Sequence, residues 1–99
     1  MSEINVIIAG LGLIGGSLAA CWSAQGISVT GVARQASTLA LARQRGWIAD
    51  GYLSLADSLR PNSWLVLCGP LSLNVQWLKN HAQTINALPG LYVTDVGSC

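Results

Sequence analysis

Apolar positions along the chain fall into short runs whose internal spacing changes from one run to the next. Residues 4–9 are almost continuously apolar, largely β-branched, and stop at Gly10. That pattern predicts a parallel strand covered on both faces. Residues 13–25 are rich in Ala and Leu and close at Gly26, which predicts a helix with a glycine stop. A β-branched run at 27–33 predicts a second strand. Ser37 then reads as the N-cap of a helix over 38–45, whose basic end suits the negative pole of the helix and which stops at Gly46. A short strand at 47–50 and a short helix at 53–59 precede the Arg60-Pro61-Asn62 turn. A fourth strand at 64–68 ends in Gly69-Pro70, and a helix over 73–82 carries Leu73, Trp77 and Leu78 at helical spacing. Beyond Pro89-Gly90, residues 91–96 predict a fifth strand.

Strands that alternate with helices imply an α/β fold: a parallel sheet of about five strands, right-handed crossovers, and helices on both faces. No internal repeat, low-complexity segment or linker divides the 99 residues, so they read as one domain, 1–99.

The turn between the first strand and the first helix is Gly10-Leu11-Gly12-Leu13-Ile14-Gly15. A GxGxxG run alone is a weak signal, but here it directly follows a hydrophobic strand and directly opens a helix. In that context Gly10 permits the tight turn, Gly12 lets backbone approach a pyrophosphate, and Gly15 lets helix and strand pack closely. The free N–H groups around Leu13 and Ile14, with the positive end of the helix dipole, face the phosphates. The predicted architecture is therefore a Rossmann-type, doubly wound sheet that binds a dinucleotide. That fold ordinarily carries a further strand and helix beyond the fifth strand, so the chain reads as truncated.

The end of the second strand bears on which dinucleotide. An NAD site carries an acid about twenty residues past the glycine loop, where it accepts from the ribose hydroxyl. The acids here are Glu3, Asp50, Asp57 and Asp95, none at that strand end. The segment reads Gly31-Val-Ala-Arg34-Gln35-Ala-Ser37-Thr38 instead. Arg34 offers charge-assisted bonds to a 2′-phosphate, and Ser37 and Thr38 offer hydroxyls from the next helix, so NADP is favoured over NAD.

Composition narrows the partners. The formal net charge of +1 argues against a nucleic-acid partner. The stretch from Ile4 to Ala33 has no charged residue and is long enough to cross a bilayer, with Gly12 and Gly16 at GxxxG spacing. Its many glycines, and the polar Asn5, Ser17, Gln25 and Ser28, argue for a buried sheet-and-helix segment over a membrane span. At 52% hydrophobic and 9% charged, however, a domain this small leaves apolar surface uncovered. Self-association or a missing further domain is the expected cover, with Trp77 and Leu88 as candidates for the bare surface. Cys21, Cys68 and Cys99 form no metal-ligand or paired pattern and read as reduced thiols of a cytoplasmic protein. His81 falls late on a helix, away from the strand ends where ligands bind, and is not assigned a catalytic role. Asp95 reads first as a loop-capping carboxylate, and the four tryptophans as core or interface.

Gly10-Leu-Gly-Leu-Ile-Gly-Gly-Ser17, Gly31-Val-Ala-Arg-Gln35, Leu67-Cys-Gly-Pro70 and Thr94-Asp-Val-Gly-Ser98 together resemble the prephenate/arogenate dehydrogenase family. The resemblance runs over the whole chain, and its basic segment at Arg34 is most similar to the NADP-using, cyanobacterial-type arogenate dehydrogenases. It implies oxidative decarboxylation of prephenate or arogenate on the route to tyrosine. It also implies that Cys68, Gly69 and Pro70 run beside the cofactor ribose and that Ser98 acts near the substrate hydroxyl and nicotinamide. The family's catalytic histidine, substrate-binding arginines and helical dimerisation domain lie downstream of that last motif, so the 99 residues alone are expected to be inactive. A nucleotide-sensing module, or the front half of another β-hydroxyacid or imine reductase, shares the same front features.

Overall fold

The structure, a computed structural model, describes residues 4–96. Among these, strands and helices alternate as β1 (Asn5–Ala9), α1 (Leu13–Ala24), β2 (Ser28–Val32), α2 (Ala36–Gln44), β3 (Asp50–Tyr52), α3 (Leu55–Ser58), β4 (Ser63–Leu67), α4 (Leu71–Ala87) and β5 (Tyr92–Asp95). The sheet order is β3-β2-β1-β4-β5, and every neighbouring pair is parallel.

Two successive residues of β1, Ile7 and Ile8, are both fully buried. Because successive strand side chains point to opposite faces, that requires cover on both sides of the sheet. Val6 and Ile8 pack with Ala19 of α1 and with Leu39 and Ala42 of α2. Ile7 and Ala9 pack on the other face with Leu55 of α3, joined by Trp77 and Ile85 of α4 and by Leu88 just past it. Each such isoleucine contributes about 1.5–3 kcal/mol by leaving water, so β1 is the spine of both cores. The expected doubly wound α/β sheet is thus present. No helix among the described residues is long and apolar enough to cross a membrane.

Several boundaries differ from expectation. The third strand lies at Asp50–Tyr52, not 47–50. Residues before it are drawn into the first core: Ile48 is buried and the Trp47 indole packs beside it, while the Trp47 N–H closes α2 on the Ala42 carbonyl at 2.9 Å. Helix α2 begins at Ala36 with Gln35 in the N-cap position and no side-chain cap bond, so Ser37 lies inside the helix and is not its cap. Burial of Leu39 and Ala42 sets that register. Helix α4 runs to Ala87, five residues beyond the predicted end. Its inner stripe is Asn74, Trp77, His81, Ile85 and Leu88, which the chain encodes with two polar members.

Trp77 and Leu88 are half-buried against the second core and are not the bare surface. Bare surface lies on the opposite face of β4 and β5. There Trp64 is 43% and Tyr92 71% exposed, bordering a shallow hollow of about 880 Å³.

Candidate functional site

Sheet order reverses between β1 and β4: from β1 the chain steps outward through β2 to β3, then returns to β4 and β5 on the other side. A crevice outside the carboxyl ends of the strands at such a switch point is where open α/β sheets bind ligands. Here a cleft of about 560 Å³ occupies that place.

Glycines shape its floor. Gly10 leaves β1 at φ +101°, a left-handed region that L side chains rarely adopt, and a Cβ there would meet the Gly69 nitrogen at 2.9 Å. The loops after β1 and β4 therefore touch backbone to backbone. The Gly10 N–H donates to the Val32 carbonyl at 2.8 Å, which ties in the end of β2 as well. A Cβ at Gly15 would fall on the Gly10 carbonyl oxygen, so α1 seats directly on the loop. Gly12 is different: a Cβ there would meet nothing within 4 Å. That open side leaves backbone approachable at the start of α1, where the first N–H groups have no intrahelical carbonyl. Leu13 and Ile14, the first two residues of the helix, are exposed.

The loop after β2 forms the next wall. Arg34 and Gln35 are exposed and line the cleft with Thr38 from the first turn of α2. No residue among those described engages the Arg34 guanidinium by an ion pair or hydrogen bond. Ser37 is exposed on the same turn but does not line the cleft.

Cys68, Gly69 and Pro70 close the opposite wall, with Leu73 and Trp77 of α4 behind them. Burial, and next the negative Asp95 carboxylate, push the Cys68 thiol up to about 11, so it stays protonated near neutrality. Asn74 is wholly buried. Its Oδ1 accepts from the Gly69 N–H at 3.1 Å, and its Nδ2 donates to Asp95 Oδ1 at 3.0 Å. Asp95, expected to cap a loop, instead accepts from a side chain of helix α4. His81 sits on α4, with Nδ1 2.9 Å from the Trp77 carbonyl oxygen, outside the cleft lining.

The structure therefore gathers Gly10, Gly12, Arg34, Gln35 and Thr38 with Cys68, Gly69 and Pro70 around one cleft, beneath the N-terminal end of α1. Ser98 lies outside the described residues. Reading the sequence missed Leu11, Val32, Ala33, Leu73 and Trp77 as lining residues, and it missed Asn74 altogether. A polar residue in phase with Trp77 and Ile85 was the available signal for Asn74.

Neither a protein-family model nor a curated protein sequence matches the chain. Solved structures do match. Prephenate dehydrogenase from A. aeolicus, solved in complex with hydroxyphenyl propionate and NAD+, is 27% identical with a TM-score of 0.80, over 99% of this chain and 35% of that one. Synechocystis arogenate dehydrogenase is 32% identical with a TM-score of 0.78, over 95% of this chain and 33% of that one. The chain spans about a third of the length of each. In fold, and over nearly all of its length, it is a structural match to the NAD(P)-binding domain of prephenate and arogenate dehydrogenases.

Proposed function

We propose that the cleft binds a nicotinamide dinucleotide, NADP(H) in preference to NAD(H), as the cofactor domain of a dehydrogenase that oxidatively decarboxylates prephenate or arogenate on the route to tyrosine. The observation that carries the reading is the glycine cradle at the switch point, where Gly10 and Gly69 meet beneath the open start of α1. A pyrophosphate fits there because the Gly12 side is unobstructed and the helix start supplies N–H donors and a positive dipole end. Arg34 supports the NADP preference: it is a cation without a partner among the described residues, at the strand end where an NAD site places an acid. Gln35, Ser37 and Thr38 are the neighbouring polar groups for the same phosphate.

A dinucleotide held by Gly10, Gly12 and the start of α1 would supply a hydride acceptor for the ring carbinol carbon of the substrate, whose loss of carboxylate as CO2 would make the ring aromatic. The chain's own part is binding and orientation, with Cys68, Gly69 and Pro70 for the ribose; a role for Ser98 in the chemistry is carried by the resemblance alone. The chain covers about a third of each dehydrogenase it matches, and substrate turnover is, in this reading, not expected of these 99 residues by themselves. A cytoplasmic setting accompanies it, since Cys21 and Cys68 are free thiols.

Titration of both dinucleotides against wild type and Arg34→Ala tests the assignment. The expected result is tighter NADP+ than NAD+ binding in wild type, with about tenfold or greater loss for NADP+ alone in the variant. Equal affinities in wild type, or an unchanged preference in the variant, would remove Arg34 from the role.

A further inference from the structure

The proposed cofactor site rests on backbone glycines, yet one buried polar side chain ties one wall of it to the end of β5. We propose that Asn74 is a positioning residue for the cleft: its carboxamide ties the Gly69 peptide, in the loop after β4, to the Asp95 carboxylate at the end of β5. This inference rests on the cleft being a dinucleotide site.

Chemistry fixes the orientation of the amide. A backbone N–H only donates, so Oδ1 faces Gly69; a carboxylate only accepts, so Nδ2 faces Asp95. The Asn74 N–H in turn donates to the Pro70 carbonyl at 2.9 Å. The 69–70 loop is therefore gripped by the side chain and the backbone of one residue. Asparagine is a poor helix former and costly to bury unless satisfied, and its neighbours on the inner stripe include Trp77 and Ile85. An apolar residue would serve packing there equally well but could not orient a peptide.

Placement gives the grip its consequence. A Cβ on Gly69 would lie 3.1 Å from Asn74 Oδ1, while a Cβ on Gly10 would lie 2.9 Å from the Gly69 nitrogen. The peptide that Asn74 holds is thus the one against which the Gly10 turn rests. Letting Gly69 drift shifts the floor on which the phosphate-facing loop is built. The link spans 21 residues of sequence between Asn74 and Asp95, and so couples the end of β5 to that floor.

The test uses the whole chain, NADP+ as the probe, and hydrogen exchange of the Gly69 amide as a readout that needs no cofactor. Asn74→Ala is expected to expose the Gly69 amide to exchange and weaken NADP+ binding about tenfold. Asn74→Asp sets two carboxylates face to face, so binding should be weak at neutral pH and recover on acidification as the pair takes up one proton. Among the described residues the Cys68 thiol also faces the link, and it stays protonated throughout that range. Adding Asp95→Asn to Asn74→Asp rebuilds an amide–carboxylate bond of reversed polarity and should restore binding at neutral pH. Affinities are read under conditions where circular dichroism shows each variant fully folded, because a purely structural role then leaves NADP+ affinity unchanged and predicts neither the acid recovery nor the rescue. Wild-type exchange rates and affinity in Asn74→Ala would overturn the proposal, as would a swapped pair no better than Asn74→Asp alone. If wild type bound no dinucleotide, the cofactor reading would fall, while Gly69 exchange would still decide whether Asn74 holds the loop.

Discussion

Three glycines within one turn and a half of chain should respond to the same added methyl in three different ways. At Gly15 the new Cβ would fall on the Gly10 carbonyl oxygen, with the Gly10 carbonyl carbon at 3.0 Å and the Cys68 Cβ at 3.3 Å. Two of these atoms are backbone and none can swing aside, so α1 must lift off its seat. Overpacking of this kind costs about 3 kcal/mol, at the upper end of the usual range. Replacing a helical glycine returns roughly 0.5–1 kcal/mol, leaving Gly15→Ala about 2 kcal/mol less stable than wild type. For a domain of this size that corresponds to a fall of about 8–16 °C in Tm. At Gly16, one residue on, the nearest atom to a Cβ is the Trp47 ring at 3.9 Å, an ordinary contact. Gly16→Ala should keep the helix-propensity gain and stabilise by roughly 0.5–1 kcal/mol.

Gly12→Ala separates stability from binding. No protein atom lies within 4 Å of its Cβ, and its φ of −77° suits any residue. The weaker N-cap and the reduced unfolded-state entropy offset each other to within about 1 kcal/mol. The methyl instead occupies the space through which a pyrophosphate reaches the backbone, so NADP+ affinity should fall about tenfold or more. Urea denaturation and dinucleotide titration of the three variants make the comparison. Gly15→Ala as stable as wild type would refute the seating of α1 on Gly10. Unchanged NADP+ affinity in Gly12→Ala would remove the phosphates from this loop.

Cys68 should make stability pH-dependent in the alkaline range. Its thiol ionises at about 11 when folded against 9.0 for a free thiol, so its contribution is complete below 9 and is lost as pH rises toward 11. Denaturation of wild type and Cys68→Ser across that window checks the sign, and a smaller decline in wild type than in the variant would contradict it. Association is the remaining expectation: β5 is an edge strand among the described residues, and its own Tyr92 and the neighbouring Trp64 of β4 are exposed, a combination that invites pairing with a second copy. Sedimentation should show concentration-dependent self-association weakened by Trp64→Lys, and a monomer at high concentration would mean that the edge is protected.

Much of this architecture was legible because it is written in consecutive residues. The run from Ile4 to Ala9 announces a strand buried on both faces, and the glycine loop after it needs only its immediate neighbours to be interpreted. The boundaries that slipped were set by contacts from elsewhere in the chain. Trp47 and Ile48 look like strand residues because they are large and apolar, yet α2 and the first core claim them, and pairing with β2 starts only at Asp50. Ser37 has a capping side chain in a plausible position, but burial of Leu39 and Ala42 starts the helix at Ala36. The far half of α4 has too few apolar residues for its period to show, although Ile85 and Leu88 continue the stripe.

The same distinction separates the parts of the site. Glycines, the Arg34 cation and the absent acid can each be interpreted in place, because each is needed for what it does to its own stretch of backbone or to a ligand directly beside it. Asn74 cannot, because its use depends on Gly69 and Asp95 being brought to its two ends by the return of the chain from β3 to β4 and on to β5. Such a residue is identifiable only as a polar member of an apolar stripe, and that signal says something is satisfied there without saying what. The preference for NADP is intermediate: the sequence supplies a cation where an acid is expected, and the structure adds that no described neighbour takes it up. A cation held by an internal partner would have to give up that contact to reach a phosphate, whereas Arg34 would not. For that reason the 2′-phosphate discrimination is expected to depend on Arg34 more than on the hydroxyls of Ser37 and Thr38, the first of which does not line the cleft.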